Sequence, residues 1–363
     1  IKSKKKFKPK KFDLSIVIPA YNEEKNITKV IESAFNQTQQ PKQVTIIDDN
    51  SQDNTVKVCK ELKKKYKKLK IVENKQNKGK SYNINYVLNN FKLLELVMVL
   101  DADTFLSENF IEEITKPFVN EKIVISTGKS FPIEQENLFA KVIYNGSIIQ
   151  YKFFAFRKVA QSIRNAISVI SGDSSVYRTS FLKQVGGLPL GTQTEDMDIT
   201  WLALEQGHKI YFQRKALARS KDAGTFKGHW KQITRWFSGA FQNTFKHGRD
   251  LYKAKSLLFT TLIPFYLDSF LYASVFLFSW IIYFQIPSLV IGFYLTDFIF
   301  TILVVLFIDW KKIIHLPEIY FIKILWSIAW LYSLFNTIYE YIGGKREWGG
   351  TWSRDNFYAK KKK

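Results

Sequence analysis

Cysteine is almost missing from this sequence: Cys59 is the only one in 363 residues, so no intrachain disulfide can form, which fits a domain in a reducing cytosol. Histidine is nearly as scarce. His208, His229, His247 and His315 lack ligand spacing, and no zinc site is expected. No internal repeat or low-complexity linker interrupts the chain apart from its lysine-rich ends, and no signal peptide is visible. The sequence opens on Ile1 rather than Met, so an N-terminal segment is expected to have preceded it. Acidic side chains are the minority, 32 against 54 Lys and Arg, for a net charge of +22. The surplus is spread over Lys2 to Lys11, Lys57 to Lys70 and Lys360 to Lys363 rather than collected on one reading helix. With no nucleic-acid recognition motif beside it, nucleic acid is not expected as a partner. Lysines near apolar segments suit anionic lipid headgroups, at about 1 kcal/mol each, and an AT-rich genome would enrich Lys, Ile and Asn in any case.

Basic residues are also missing from most of the C-terminal third. Ser256 to Phe284 contains none and one acid, Asp268, while Ser288 to Ile308 contains only Asp297. Each is long enough to cross a hydrocarbon core, which takes ~20 apolar residues as helix. Ile319 to Tyr341 is a third apolar stretch, carrying Lys323 and Glu340. Excess Lys and Arg marks cytoplasmic flanks, so Gln285 to Pro287 is expected outside, and Trp310 to Lys312 and the tail from Lys345 inside. A third simple span would put that tail outside. Ile319 to Tyr341 is therefore expected to lie in the interface or re-enter, with one more outward span as the alternative. The organisation read from these shifts is a basic segment (1–13), a catalytic domain (14–250), a membrane region with two to three apolar helices (251–344) and a basic cytoplasmic tail (345–363).

Ahead of the apolar third, short apolar runs alternate with helical stretches. Leu14 to Ile18, Val44 to Asp48, Leu69 to Val72 and Leu96 to Leu100 read as strands; Glu24 to Asn36, Thr55 to Lys65 and Lys80 to Phe91 read as helices. That alternation predicts a parallel sheet with helices on its faces. Ligands in such sheets gather beyond the carboxyl ends of the strands. Pro19 to Glu24, Asp48 to Asp53 and Asp101 to Asp103 then share one rim. Asn137 to Ile170 lacks a clean period and is expected as helices on the sheet or at the membrane interface. Ser171 to Tyr177 reads as a further strand and Glu195 to Glu205 as a helix.

Asp101 and Asp103 place two carboxylates at a strand's end, and hard divalent ions such as Mn2+ or Mg2+ take carboxylate oxygens together with substrate phosphates. Alone, Asp-x-Asp is more often a cap or turn; its position after an apolar strand favours the metal. The run Asp48 to Thr55 can cap the next helix, bind a nucleoside with a carboxylate, or do both. Lys78-Gly79-Lys80 offers a turn and a cation suited to phosphate oxygens, or a solvated turn. Asp196 is the candidate general base, since an acceptor hydroxyl must lose its proton as it attacks. With Glu195 and Asp198 it would otherwise read as an exposed helix start. Gln232, Arg235 and Trp236 fall on or near one helical face, where Trp236 can pack flat on a sugar ring and Arg235 can meet a diphosphate bidentately.

Ser15 to Glu23, Ile47 to Ser51, Asn77 to Lys80, Asp101-Ala102-Asp103, Thr194-Glu195-Asp196 and Gln232 to Trp236 occur in an order that resembles the family 2 inverting glycosyltransferases. The resemblance is strongest to the membrane-integrated branch of hyaluronan, cellulose, chitin and poly-N-acetylglucosamine synthases, and covers Leu14 to about Lys246. It implies an α/β GT-A (Rossmann-like) catalytic domain followed by C-terminal transmembrane and interfacial helices. By matched position, Ala20, Glu23 and Asp49 would hold the nucleoside, Lys80 and Asp101 would touch the donor, and Asp103 with Asp101 would ligate Mn2+ or Mg2+. Asp196 would be the base, with Glu195, Gln232, Arg235 and Trp236 around the acceptor and diphosphate. Glu347 to Arg354 looks like the Trp-Gly-Thr-Arg segment near the end of hyaluronan synthases, altered by an inserted glycine and Trp352. Asn50 stands where many members have Gly, and Ile233-Thr234 where many have basic or amide residues. Polymer synthases also carry membrane helices ahead of the catalytic domain, which this sequence lacks or has lost.

The expectation is a multi-pass cell-membrane enzyme with its catalytic domain in the cytoplasm, moving a sugar from a nucleotide-diphosphate donor to a growing β-linked polysaccharide. Its partners would be that donor, a glycan or lipid-linked acceptor and membrane lipids. Trp230, Trp236 and Trp280 would suit a sugar-lined route, and Asp268 or Asp297 would be unusual facing lipid. The alternative is a single sugar added to a lipid or lipid-linked acceptor.

Overall fold

The computed structural model describes residues 11–344. They fall into two compact units, one of residues 11–130 and 167–221, the other of residues 131–166 and 222–344. The basic N-terminal ten residues, the Glu347 to Arg354 segment with the rest of the tail, and the side chain of Trp280 lie outside the described residues.

The first unit opens as β1 (Leu14–Ala20), α1 (Ile27–Phe35), β2 (Gln43–Asp48), α2 (Thr55–Lys65), β3 (Leu69–Glu73), α3 (Lys80–Asn90) and β4 (Leu96–Val99). The strands form because their residues are apolar on both faces. Ile16, Val17, Ile18, Val44, Ile46 and Ile47 are all fully buried, as expected for parallel strands covered by helices on either side. Each such side chain contributes about 1.5–3 kcal/mol of apolar burial. α1 packs through Ile27, Val30, Ile31, Ala34 and Phe35, the i, i+3, i+4, i+7, i+8 stripe of an amphipathic helix.

The chain continues through β5 (Thr104–Leu106), α4 (Phe110–Thr115) and β6 (Ile123–Pro132) into α5 (Leu138–Ile163), which belongs to the second unit. It returns as β7 (Val176–Arg178), α6 (Thr179–Gln184), α7 (Glu195–Glu205) and β8 (Lys209–Ser220). The eight strands lie in the order β3-β2-β1-β4-β7-β6-β8-β5. β1 to β4 run parallel, while β7 is antiparallel to both β4 and β6. Ala20 pairs with Asp48 and Val17 with Val99, so the loops after β1, β2 and β4 open on one rim. The strand expected over Ser171 to Tyr177 is shorter. Ser171 to Ser174 is a turn closed by Ser174 N–H on the Ser171 carbonyl, and the Ser175 hydroxyl also donates to that carbonyl at 2.7 Å. Local side-chain bonds of this kind compete with the ladder.

In the second unit, α8 (Phe226–His247) starts at Thr225, whose hydroxyl accepts from the Gly228 N–H. A broken stretch with a short α9 (Lys255–Leu257) leads to α10 (Ile263–Gln285), α11 (Pro287–Asp309) and α12 (Leu316–Ile342). The stretch expected over Asn137 to Ile170 is mostly one 26-residue helix, α5. Leu251–Val275 and Pro287–Ile342 are long and apolar enough to cross a membrane; the second comprises α11, a 3-10 turn and α12.

α12 is two-sided. Ile322, Leu325 and Ala329 bury against Ile143 of α5 and Ile233 of α8, while Phe321, Ile328, Tyr332, Phe335, Tyr339 and Ile342 form an exposed apolar stripe. At Gly146 of α5 an added Cβ would lie 2.4 Å from the Glu318 carbonyl oxygen, so α5 and α12 touch backbone to backbone. Asp297 does not stand alone among apolar residues. Lys323 of α12 reaches it at 2.5 Å and donates also to Thr301 at 3.0 Å, which pairs the charge inside the helix packing.

Candidate functional site

At the carboxyl end of β2, Asp49 is buried and spends both carboxylate oxygens on the chain. Oδ1 accepts from Lys78 N–H at 2.9 Å and Asn74 Nδ2 at 3.0 Å, and Oδ2 accepts from Gly79 N–H at 2.7 Å. It thereby fixes the turn that launches α3. Its own N–H donates to the Ala20 carbonyl at 2.8 Å, joining the β1 and β2 rims. Asn50 sits at φ +67°, a left-handed conformation that Asn tolerates nearly as Gly does. That accounts for Asn where many sequences of the kind have Gly.

Neighbouring Asp48 accepts from Ser51 N–H through one oxygen, while its other oxygen has no hydrogen-bond partner among the described residues, and burial pushes its carboxyl above the usual range. Glu23 is half-buried, with its N–H on the Thr55 hydroxyl at 2.8 Å and its carboxylate accepting from Asn26 Nδ2 at 2.7 Å. Asn54 is the N-cap of α2 without a side-chain cap bond, and Asp53, one residue earlier, accepts from the Thr55 N–H at 2.9 Å. Against the cost of burial, bonds from Thr55 and the Glu24 N–H hold its carboxyl below the usual range.

Lys80, at the first position of α3, is the hub of the rim. Its ammonium lies 2.7 Å from Asp101 and 3.1 Å from Glu195, and donates to the Gly172 carbonyl at 2.8 Å. Burial disfavours the charge, but Asp101 and Glu195 outweigh it and hold Lys80 protonated well above its usual range. Asp101 shifts upward, first through burial and then through repulsion from Asp103 and Asp173, despite the pull of Lys80. Below the cluster, Tyr177 is buried, and its hydroxyl is pushed up by burial and by Asp196, Glu195 and Asp101.

Asp196 opens α7. Its Oδ1 accepts from Met197 N–H at 2.8 Å, the placement that a carboxylate favours at a helix N-terminus. A Cβ on Gly172 would stand 2.9 Å from Asp196 Oδ2, so only glycine lets the carboxylate lie there. One residue thus takes the ammonium of Lys80 on its carbonyl and the carboxylate of Asp196 on its bare Cα.

A divalent cation fits this rim on charge. Burial first, and then the charges of the buried Asp103 and of Asp173, raise Asp101 even beside a lysine, and a cation would offset that surplus of negative charge. Among the described residues no group of three or more His, Cys, Asp and Glu side chains forms a cage. Two protein carboxylates would leave coordination positions for other oxygens, the usual arrangement for an ion bound with substrate phosphates.

In the second unit, the Gln232 amide donates to Asp222 Oδ1 at 3.1 Å and accepts from Ala223 N–H at 3.4 Å. Trp236 is half-buried, edge-to-face with Tyr151 at 6.5 Å and with Trp326 at 6.4 Å. Arg235 follows Gln232 by three residues on the same helix.

The first unit therefore gathers Lys80, Asp101, Asp103, Glu195 and Asp196, with Ala20, Glu23 and Asp49 along the same strand ends, while Gln232, Arg235 and Trp236 share α8 of the second. Sequence reasoning missed Gly172, Asp173, Tyr151 and Asp222. Ser171-Gly172-Asp173-Ser174-Ser175 carried a readable signal, since five small or polar residues in a row suit a turn better than a strand.

This sheet, with an acidic rim beyond its parallel strands, is the fold of GT-A glycosyltransferases. A mannosyltransferase from Pyrobaculum calidifontis, solved with GDP-Man and Mn2+, matches 70% of this chain and 77% of its own at 15% identity, with a TM-score of 0.54. Residues 15–186 match the sequence model of glycosyl transferase family 2, so the chain carries a family 2 glycosyltransferase domain, followed by apolar C-terminal helices. A poly-beta-1,6-N-acetyl-D-glucosamine synthase of Staphylococcus epidermidis is 28% identical over 249 residues, 67% of this chain and 58% of the relative. The synthase of that name from Staphylococcus aureus strain COL is 24% identical over 231 residues, 63% and 55% of the two chains. This chain spans less than six tenths of the length of either relative.

Proposed function

We propose that this chain is a membrane-bound, metal-dependent inverting glycosyltransferase that moves N-acetylglucosamine from its UDP donor onto a growing β-linked polysaccharide. The observation that carries the reading is the convergence of Lys80, Asp101 and Glu195 beside Asp196, at distances of 2.7 and 3.1 Å for the two ion pairs. The choice of sugar rests on the names of the two staphylococcal relatives. The enzyme would be a multi-pass protein of the cell membrane with its catalytic domain on the cytoplasmic side.

Ala20 and Glu23 line the nucleoside end of the donor site, and Asp49 serves it by fixing the Lys78-Gly79 turn. Lys80 orients Asp101 against the donor. Asp103 and Asp101 would hold Mn2+ or Mg2+, which when bound neutralises the diphosphate as it leaves. Asp196 takes the proton of the acceptor hydroxyl as that oxygen bonds to the anomeric carbon and the bond to the diphosphate breaks on the opposite face. Glu195 keeps Lys80 in place. Gln232 and Trp236 serve the acceptor, and Arg235 meets the departing diphosphate by a bidentate contact.

The test is product sizing with purified protein in membranes, Mn2+ or Mg2+ and a panel of labelled UDP- and GDP-sugars. A high-molecular-weight ladder from UDP-N-acetylglucosamine alone is expected; a single small lipid-extractable product would demote polymer synthesis. Asp196→Asn is expected to lower transfer by roughly 10²–10⁴-fold while UDP affinity stays as in the wild type. Undiminished turnover in that variant would remove Asp196 as the base.

A further inference from the structure

The Gln232 side chain is engaged at both ends within the protein, through Nε2 on Asp222 and through Oε1 on the Ala223 N–H. Its contribution therefore runs through what it holds. The same Asp222 carboxylate accepts from the Tyr151 hydroxyl, with Oδ1 at 3.2 Å and Oδ2 at 3.3 Å, and the Asp222 carbonyl accepts from Gln135 Nε2 at 2.7 Å. Tyr151 comes from α5 and Gln232 from α8, so one carboxylate joins two helices and the loop between β8 and α8. The Tyr151 ring meets the Trp236 indole at an interplanar angle of 85°, and Trp326 meets it at 85° as well. Two perpendicular neighbours fix the plane of the indole, and one of them is itself held by Asp222.

We infer that Asp222 and Tyr151 are positioning residues for the acceptor: they set the rotamer of Gln232 and the ring plane of Trp236, on which a sugar ring would stack. The inference rests on the proposed function, since it needs a glycan at Trp236. Bonds to an ionised carboxylate are roughly twice as strong as neutral ones, so Asp222 holds both partners more firmly than an amide would. A hydrogen bond lost from an oriented network loosens its other members, and a loosened indole gives up the preorganisation that stacking needs.

The test is calorimetric titration of the full chain in nanodiscs with two probes, UDP and a β-1,6-linked N-acetylglucosamine tetramer. Asp222→Ala is expected to weaken the tetramer about tenfold, the worth of one charge-assisted bond, and to leave UDP affinity unchanged. Asp222→Asn, which keeps an acceptor oxygen, should recover part of the loss. Tyr151→Phe keeps the ring on Trp236 and should weaken the tetramer by a smaller factor than Asp222→Ala. Tetramer affinity unchanged in Asp222→Ala and Tyr151→Phe overturns the inference, and so does an equal fall for tetramer and UDP, which marks a general loss of structure. A wild type that binds no UDP overturns the donor reading itself, and this inference with it.

Discussion

Lys80 is the residue on which the rim depends, because its ammonium pairs with Asp101 and Glu195 at once. Removing the cation of a half-buried ion cluster leaves its carboxylates uncompensated, at a cost of on the order of 1–3 kcal/mol. Lys80→Met should therefore lower the unfolding midpoint in metal-free buffer far more than Lys60→Met, whose partner Glu73 is half exposed. Equal small shifts in the two variants would refute the cluster's role in stability. His229 is a second residue with a measurable signature. It is buried, its Nδ1 has no hydrogen-bond partner among the described residues, Trp326 donates to its Nε2 at 3.4 Å, and burial lowers its pKa to about 4. The unfolded imidazole titrates near 6.5, so the unfolded chain binds the proton first. Stability is full above about pH 6.5 and falls as pH drops toward 4, by on the order of 3 kcal/mol. Denaturation midpoints between pH 7 and pH 4 should slope less in His229→Gln; identical slopes would show that another group carries the transition. Lys80, Asp101, Glu195 and Asp196 were legible as residues, because each stands in a short motif. Gly172 and Asp173 were not, since what matters at Gly172 is a missing Cβ beside a carboxylate that lies 24 residues away in sequence.

The helices and strands that formed as expected share one property, a pattern that the local sequence completes alone. α2 and α7 begin and end where the sequence placed them, at Thr55–Lys65 and Glu195–Glu205. The first carries basic residues in its last turn and the second acids in its first, so each terminus suits the helix dipole. β7 was over-extended because serine hydroxyls bond within their own turn. α5 had no clean period because one 26-residue helix has to meet several neighbours. At Gly146 it lies close against the α12 backbone. Gly146→Ala should overpack that contact and destabilise the second unit by about 1–3 kcal/mol, despite the better helix propensity of alanine. A thermal midpoint equal to or above that of the wild type would show that the two helices can part at little cost.

At the scale of the whole molecule, the free apolar stripe of α12 and the apolar surfaces of α10 and α11 call for a lipid environment. The two-span arrangement argued from flanking charge puts Gln285 to Pro287 outside and Trp310 to Lys312 inside. Cys59 is buried and its thiol is pushed up to about 12 by burial, so it gives little background to thiol reagents. In intact cells Ser288→Cys should react with an impermeant maleimide, and Lys311→Cys only after permeabilisation; the reverse pattern would invert the topology. The sequence by itself determined the four parallel strands β1 to β4, the acidic rim and the apolar C-terminal third, since periodicity, strand-end motifs and hydropathy act within a few residues; the antiparallel run of β7, which makes the sheet mixed, was not foreseen. Tertiary structure alone decided that α5 and α8 pack with α12, that Asp297 has Lys323 as its partner, and that Asp222 joins Tyr151 to Gln232. Those outcomes depend on which distant side chains share one small volume, and close packing fixes that only once the chain has folded.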